Sequence, residues 1–127
     1  MTGDPAWAYF VSIVSRSIPV LGEFETLVLL AVLHLAEDRQ ESYGSAIRDE
    51  IQRRAQRHVP RGSIYVTLDR LEEKGLLTSR EAGTSASRGN RPKRVFTVTP
   101  GGVRAVGNAV TAIARMQRGL QHVLERA

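Results

Sequence analysis

Three features of this 127-residue chain predict a mostly α-helical fold carrying one small β-hairpin. Arg61–Gly75, RGSIYVTLDRLEEKG, has an inward apolar stripe at helical spacing and an outward face of small and polar residues. LLTSRE and RVFTVTPGG follow as two strand-like stretches around a basic loop rich in Gly and Ser. Near the C-terminus, apolar residues recur with heptad spacing. In this order they outline a winged helix-turn-helix followed by a long C-terminal dimerisation helix.

The bulk numbers set the frame. A chain of this length supports a single core, and 42% apolar residues argue against general disorder. There is no cysteine, so disulfides, thiolate nucleophiles and cysteine zinc sites are excluded, which suits a reducing, cytoplasmic setting. The longest apolar run, Leu27–Leu33, is too short to span a bilayer, and no segment has the pattern of a secretory signal; no membrane association is expected. The expected organisation is an N-terminal extension over 1–20, a winged helix-turn-helix domain over 21–99 and a dimerisation helix over 100–127.

In the extension, Asp4-Pro5 reads as a cap and first-turn proline, with Trp7, Phe10, Val11, Val14 and Ile18 at helical spacing. This segment is either an amphipathic helix that packs on the rest of a dimer, or a frayed tail or misassigned start. Gly22–Asp38 is helical and apolar nearly all round. Phe24, Val28, Ala31 and Leu35 make one face, while Leu29, Leu30 and Leu33 make another that a second subunit would cover. His34 reads as a packed or interfacial histidine. Ser42 is the expected cap of a second helix whose Tyr43, Ile47, Ile51 and Ala55 share a face. In the third helix Ile64, Leu68 and Leu71 point inward, and Gly75 is the natural residue just past its end. Leu76–Glu81 and Arg94–Val98 would pair as a hairpin, with AGTSASRGNRP between them as a mobile wing. Thr99-Pro100 caps the last helix. There Val103, Val106, Val110, Ile113, Gln117, Leu120 and Leu124 form a heptad seam with one polar member. About 28 residues of helix would reach about 40 Å, longer than so small a domain can cover. Pairing with its twin is the economical reading, with Gln117 fixing the register.

The net charge of +5 is unevenly spread. Residues 1–60 carry 6 basic and 8 acidic side chains, residues 61–99 carry 8 and 4, and residues 100–127 carry 4 and 1. Arg80, Arg88, Arg91, Lys93 and Arg94 stand against Glu81 alone between Arg80 and Arg94. Such a patch suits a polyanion. Opposite the buried stripe of the third helix lie Gly62, Ser63, Val66, Asp69, Arg70 and Glu73, with Tyr65 and Thr67 on the flanks. If its N-terminal half entered the major groove of double-stranded DNA, Ser63 and Thr67 could bond base edges or phosphates and Val66 could touch a thymine methyl. Gly62 would let the backbone approach closely. Arg61, Tyr65 and Tyr43 would hold phosphates, and the wing cations Arg88, Arg91 and Lys93 would lie over phosphates or in the minor groove. Arg70 belongs to the same surface, whereas Asp69 and Glu73 would repel DNA.

Nothing points to catalysis. His34, His58 and His122 fall in different elements without metal-ligand spacing, and no nucleophile elbow or phosphate-cradling loop is present. No catalytic residue, metal or cofactor is expected. The alternative to DNA binding is a winged-helix dimer serving as a protein-interaction module.

The chain resembles the PadR family of transcriptional regulators, in its short-C-terminal-helix subgroup. The resemblance is carried by LGEFETLVLLAVL, YGSAI, RGSIYVTLDRLEEKGLL and KRVFTVTPGG, across roughly Leu21–Val106. It implies a homodimeric repressor acting on a pseudo-palindromic operator, with the dimer made by the N- and C-terminal helices. Tyr43 and Gly44 fall on the family's Tyr-Gly pair, and Gly62–Tyr65 on its recognition-helix motif. Pro60 stands where the family often has a serine, and Val66 where it often has a proline. Some relatives bind flat aromatic compounds at the dimer interface; a small-molecule effector stays open here, with no residue assigned to it.

Overall fold

The computed structural model describes residues 20–85 and 91–126. The extension read over residues 1–20 and the wing cation Arg88 lie outside the described residues, apart from Val20. The order is α1 (Glu23–Glu37), α2 (Gly44–Ala55), α3 (Arg61–Glu73), β1 (Leu77–Ser85), β2 (Arg91–Val98), α4 (Pro100–Gln117) and α5 (Gln121–Leu124). Among the described residues, no helix is long and apolar enough to cross a membrane.

α1 lies at the centre because it is apolar over most of its circumference. Val28, Leu29, Ala31, Val32 and Leu35 are all buried, against Ile47 and Ile51 of α2, Ile64, Leu68 and Leu71 of α3, and Ala105 and Val106 of α4. The domain thus covers a wider arc of α1 than one face. Leu29 is a core residue with no surface left for a partner; Leu27, Leu30 and Leu33 are only partly buried. At its start, Glu25 accepts the Gly22 amide (3.1 Å), the one half of a capping box that a glycine cap allows, and binds Lys74 Nζ at 2.7 Å. This ties the beginning of α1 to the end of α3.

Ser42 does not cap α2. Tyr43 occupies the cap position with no side-chain bond, and Ser42 is buried because its carbonyl accepts the Phe96 amide at 3.0 Å. Tyr43 also bridges to Val95, so this short stretch pairs with β2 before the helix begins. The turn from α2 to α3 is anchored at buried Val59. Its carbonyl accepts from Arg48 Nε at 2.6 Å and its amide donates to Gln52 Oε1 at 3.0 Å.

α3 ends as Gly75 predicts. Gly75 adopts φ +75°, its amide donates to the Glu72 carbonyl, and the Leu76 amide donates to that of Leu71. This is the paired terminal bonding that favours glycine. The hairpin is longer than its apolar residues suggest. β1 and β2 pair antiparallel from Leu77–Val98 to Ser85–Arg91, with an irregularity between Glu81 and Thr84 where Gly83 takes φ +110°.

α4 starts where the hairpin closes. Thr99 Oγ1 accepts from the Gly102 amide at 3.0 Å and donates to the Gly75 carbonyl at 2.8 Å, while the Thr99 amide donates to the Leu76 carbonyl. A Cβ on Gly102 would stand 2.3 Å from the Leu76 carbonyl oxygen. The first two turns of α4 belong to the core, so Val106 is buried and is not a seam residue facing a partner. The C-terminal helix is not continuous over 100–127 either. It stops at Gln117, and Gly119 turns the chain with φ +87° before α5.

Two carboxylates, Glu25 and Glu50, make stability depend on pH. Arg54 holds the Glu50 carboxyl below its ordinary 4.5, against the opposing effect of burial and with help from Arg53 at 2.7 Å. At Glu25 burial pushes upward, but Lys74, the Gly22 amide and the charge of Arg70 together bring it below 4.5. Because both are depressed in the folded state, their contribution is complete above 4.5 and lost as pH falls through the folded values. The melting temperature should therefore fall on acidification below pH 4.5, more steeply in the parent than in the Glu25→Gln/Glu50→Gln variant. Gly102→Ala should cost about 2–3 kcal/mol in urea unfolding, since the obstacle is backbone. Thr99→Ala should cost about 1–2 kcal/mol through the lost cap.

Candidate nucleic-acid interface

α3 presents two different halves to solvent. Arg61, Gly62, Ser63, Tyr65 and Val66 are exposed in the first half, with Tyr65 at 39% and Val66 at 57%. Pro60 caps this end without a side-chain bond, and the first turn holds no acid. The Ser63 amide turns back to the Pro60 carbonyl at 3.2 Å, which leaves the Arg61 and Gly62 amides and the positive end of the helix dipole facing an incoming anion. A Cβ on Gly62 would meet nothing within 4 Å, so the domain's own packing does not demand a glycine there.

Thr67 does not belong to this surface. It is 6% exposed, set between Ile64, Leu68 and Leu71 on the inward stripe. Positions 64, 67, 68 and 71 form one complete helical face, so a residue three after Ile64 and four before Leu71 points inward.

Tyr65 leans on the start of α2. A Cβ at Gly44 would come within 2.7 Å of the Tyr65 ring, so the glycine gives the ring its seat. Beside it Tyr43, fixed by its bridge to β2, receives Lys93 Nζ at 5.2 Å from its ring centre. Tyr43, Tyr65 and Lys93 therefore connect α2, α3 and the wing base. Arg91 is placed by its backbone at the start of β2.

The second half of α3 carries Asp69, Arg70 and Glu73 outward and Glu72 half-buried. Arg94 of β2 binds Asp69 at 3.2 Å, and also Glu72. Arg80 pairs with Glu41 at 3.2 Å. Among the described residues, Arg80 and Arg94 are therefore paired with acids of the protein itself. Reading Arg94 as one more wing charge missed this; the signal was two acids three residues apart on one helix face, opposite a returning basic strand. The seats that Gly44 provides for Tyr65 and that Arg48 and Gln52 provide for Val59 carried no pattern in the sequence.

A second exposed surface runs down α4 and α5. Val110 (39%), Ile113 (51%), Met116 (78%), Leu120 (47%) and Leu124 (51%) are open to solvent, and Gln117 is exposed at the end of α4. Leu120 and Leu124 lie beyond the break at Gly119, off the helical repeat of α4. His34, exposed on α1, lines an apolar depression of about 210 Å³ with Leu27, Leu30 and Ile51.

Comparison with known proteins places this geometry in a family. Residues 32–108 match the model of the transcriptional regulator PadR-like family. Transcriptional regulator Rv3488 of Mycobacterium tuberculosis is 35% identical over 91 residues, 72% of this chain and 79% of that protein. A PadR-like transcription factor from Bacteroides fragilis shares the fold with a TM-score of 0.63 at 19% identity, over 89% of this chain and 97% of its own. A PadR family regulator from Eggerthella lenta does so at 0.57 and 22% identity, over 96% and 100%. With the family match spanning more than half of its length and its helices and hairpin in the winged arrangement, the chain belongs to the PadR-like family of transcriptional regulators.

Proposed function

We propose that this protein binds double-stranded DNA as a homodimer, inserts the N-terminal half of α3 into the major groove of each half-site, and represses transcription by occupying its operator. The observation that carries the reading is the acid-free, uncapped start of α3, where Arg61, Gly62, Ser63, Tyr65 and Val66 stand exposed together beside the wing. Ser63 and Val66 read base edges there, and Gly62 admits the groove wall. Arg61, Arg70, Tyr43, Tyr65 and Lys93, with Arg88 and Arg91 of the wing, hold phosphates. Family membership supports the same chemistry.

Homodimerisation rests on the apolar side chains that one copy leaves open. Val110, Ile113, Leu120 and Leu124 form one such surface and partly buried Leu30 and Leu33 another, while Gln117 sets the register. A helix with this much exposed apolar area is rarely left bare in water.

Fluorescence anisotropy on the protein's own upstream promoter, against a scrambled duplex, tests the reading. A dimer engaging about 8 phosphates should bind the promoter more tightly, with log K falling against log salt at a slope near −7. Equal and weak binding to both duplexes would favour a protein-interaction module. Val66→Ala should lower affinity for the promoter and leave the scrambled duplex unchanged. Gly44→Ala should displace the half-exposed Tyr65 ring and weaken DNA binding several-fold, with less than about 1 kcal/mol lost in urea unfolding because the ring can move outward.

A further inference from the structure

Among the described residues of the wing, Arg94 is a cation engaged on several sides at once. Nη1 donates to Asp69 Oδ1 at 3.2 Å, and Nη2 donates to Glu72 and to Ser79 Oγ at 3.1 Å. Ser79 Oγ itself donates to Glu72 Oε2 at 3.0 Å. The guanidinium lies 5.0 Å from the centre of the Phe96 ring. One planar group thus joins β2 to two successive positions on the same face of α3, with β1 supplying the hydroxyl between them.

Its partners are two of the three acids in the second half of α3, with Glu73 left exposed beside them. Asp69 follows directly on the surface that faces the groove in the proposed pose and half-buried Glu72 lies about one turn on, so uncompensated carboxylates there would lie within a Debye length of the phosphates. The side chains are too exposed for the network to count chiefly as stability: Arg94 is 42% and Asp69 63% open. What the geometry provides is orientation and local charge.

We propose that Arg94 is a positioning residue: it sets the wing against the recognition helix and masks Asp69 and Glu72 from DNA, and does not contact a phosphate. This rests on the DNA-binding reading above. It also departs from the simplest view of a basic wing, in which every cation faces the nucleic acid.

The test is a double-mutant cycle between Arg94→Gln and Asp69→Asn/Glu72→Gln, read by anisotropy on promoter DNA across a salt series. Arg94→Gln should weaken binding about tenfold in the parent, through two bared carboxylates. Neutralising both acids in that variant should restore affinity to within about threefold of the parent. The same exchange with Arg94 present should change it by less than about threefold, since Ser79 and Phe96 still hold the guanidinium. Additive effects, with the salt slope reduced by about 0.9 per protomer on loss of Arg94 in both backgrounds, would make Arg94 a phosphate contact and overturn the proposal. So would an Arg94→Gln variant that binds as the parent does. Thermal unfolding of the same four proteins gives a readout without DNA: Arg94→Gln should lower the melting temperature only when the acids are present. If the parent binds neither duplex, the DNA reading fails by itself; equal melting shifts in both backgrounds would then remove the positioning role of Arg94 as well.

Discussion

The direction of everything after α3 is set where the Leu76 carbonyl meets the Thr99–Gly102 corner. Leu76 leaves α3 through the left-handed turn at Gly75, and its carbonyl accepts the Thr99 amide. Thr99 joins Gly75 and Gly102 through one hydroxyl, and Gly102 brings α4 so close that a methyl group would have no room. The end of α3, both ends of the hairpin and the start of α4 are therefore one bonded unit. A shift at this corner would move the wing and α4 together relative to α3. The proposed function requires that mutual placement to stay constant.

The second constraint is electrostatic. The excess of positive charge in the latter part of the chain is not wholly available to a ligand, because Arg80 and Arg94 are paired with Glu41, Asp69 and Glu72. On the other side of the domain, Glu50 binds Arg53 and Arg54, and Glu25 binds Lys74. Ion pairs on both flanks leave the first half of α3, free of acid and without a side-chain cap, as the place where the helix end offers its first two amides outward. Net charge would steer the protein to a polyanion; the distribution of pairs decides which surface arrives.

Much of this was legible in the residues because local chemistry and tertiary structure agree there. The stripe Ile64, Leu68, Leu71, the glycine at 75 and the Thr99-Pro100 cap each have one sensible conformation, and each adopts it. Misreadings arose where tertiary packing decided. Ser42 has the chemistry of a cap, but pairing with Phe96 takes its backbone first. Leu29 and Val106 fit an intersubunit pattern equally well, and only the packing of α2, α3 and α4 around α1 shows them enclosed. Thr67 looked polar enough for the surface, although its place in the helical repeat was inward. The heptad count ran through Gly119 because apolar spacing carries no record of a φ of +87°. For the hairpin, strand-forming side chains mark only its base; backbone pairing extends it through residues whose composition reads as loop.

Two exposed copies of the α3 N-terminal half, held at a fixed distance by a two-fold dimer, are the core of the functional account. Hydroxyl-radical footprinting of the protein on its own upstream DNA tests this most directly. Two protected half-sites on one face of the duplex, with centres about 10 base pairs or a multiple apart, are the predicted result. A single unpaired patch, or uniform protection that follows protein concentration without regard to sequence, would contradict it.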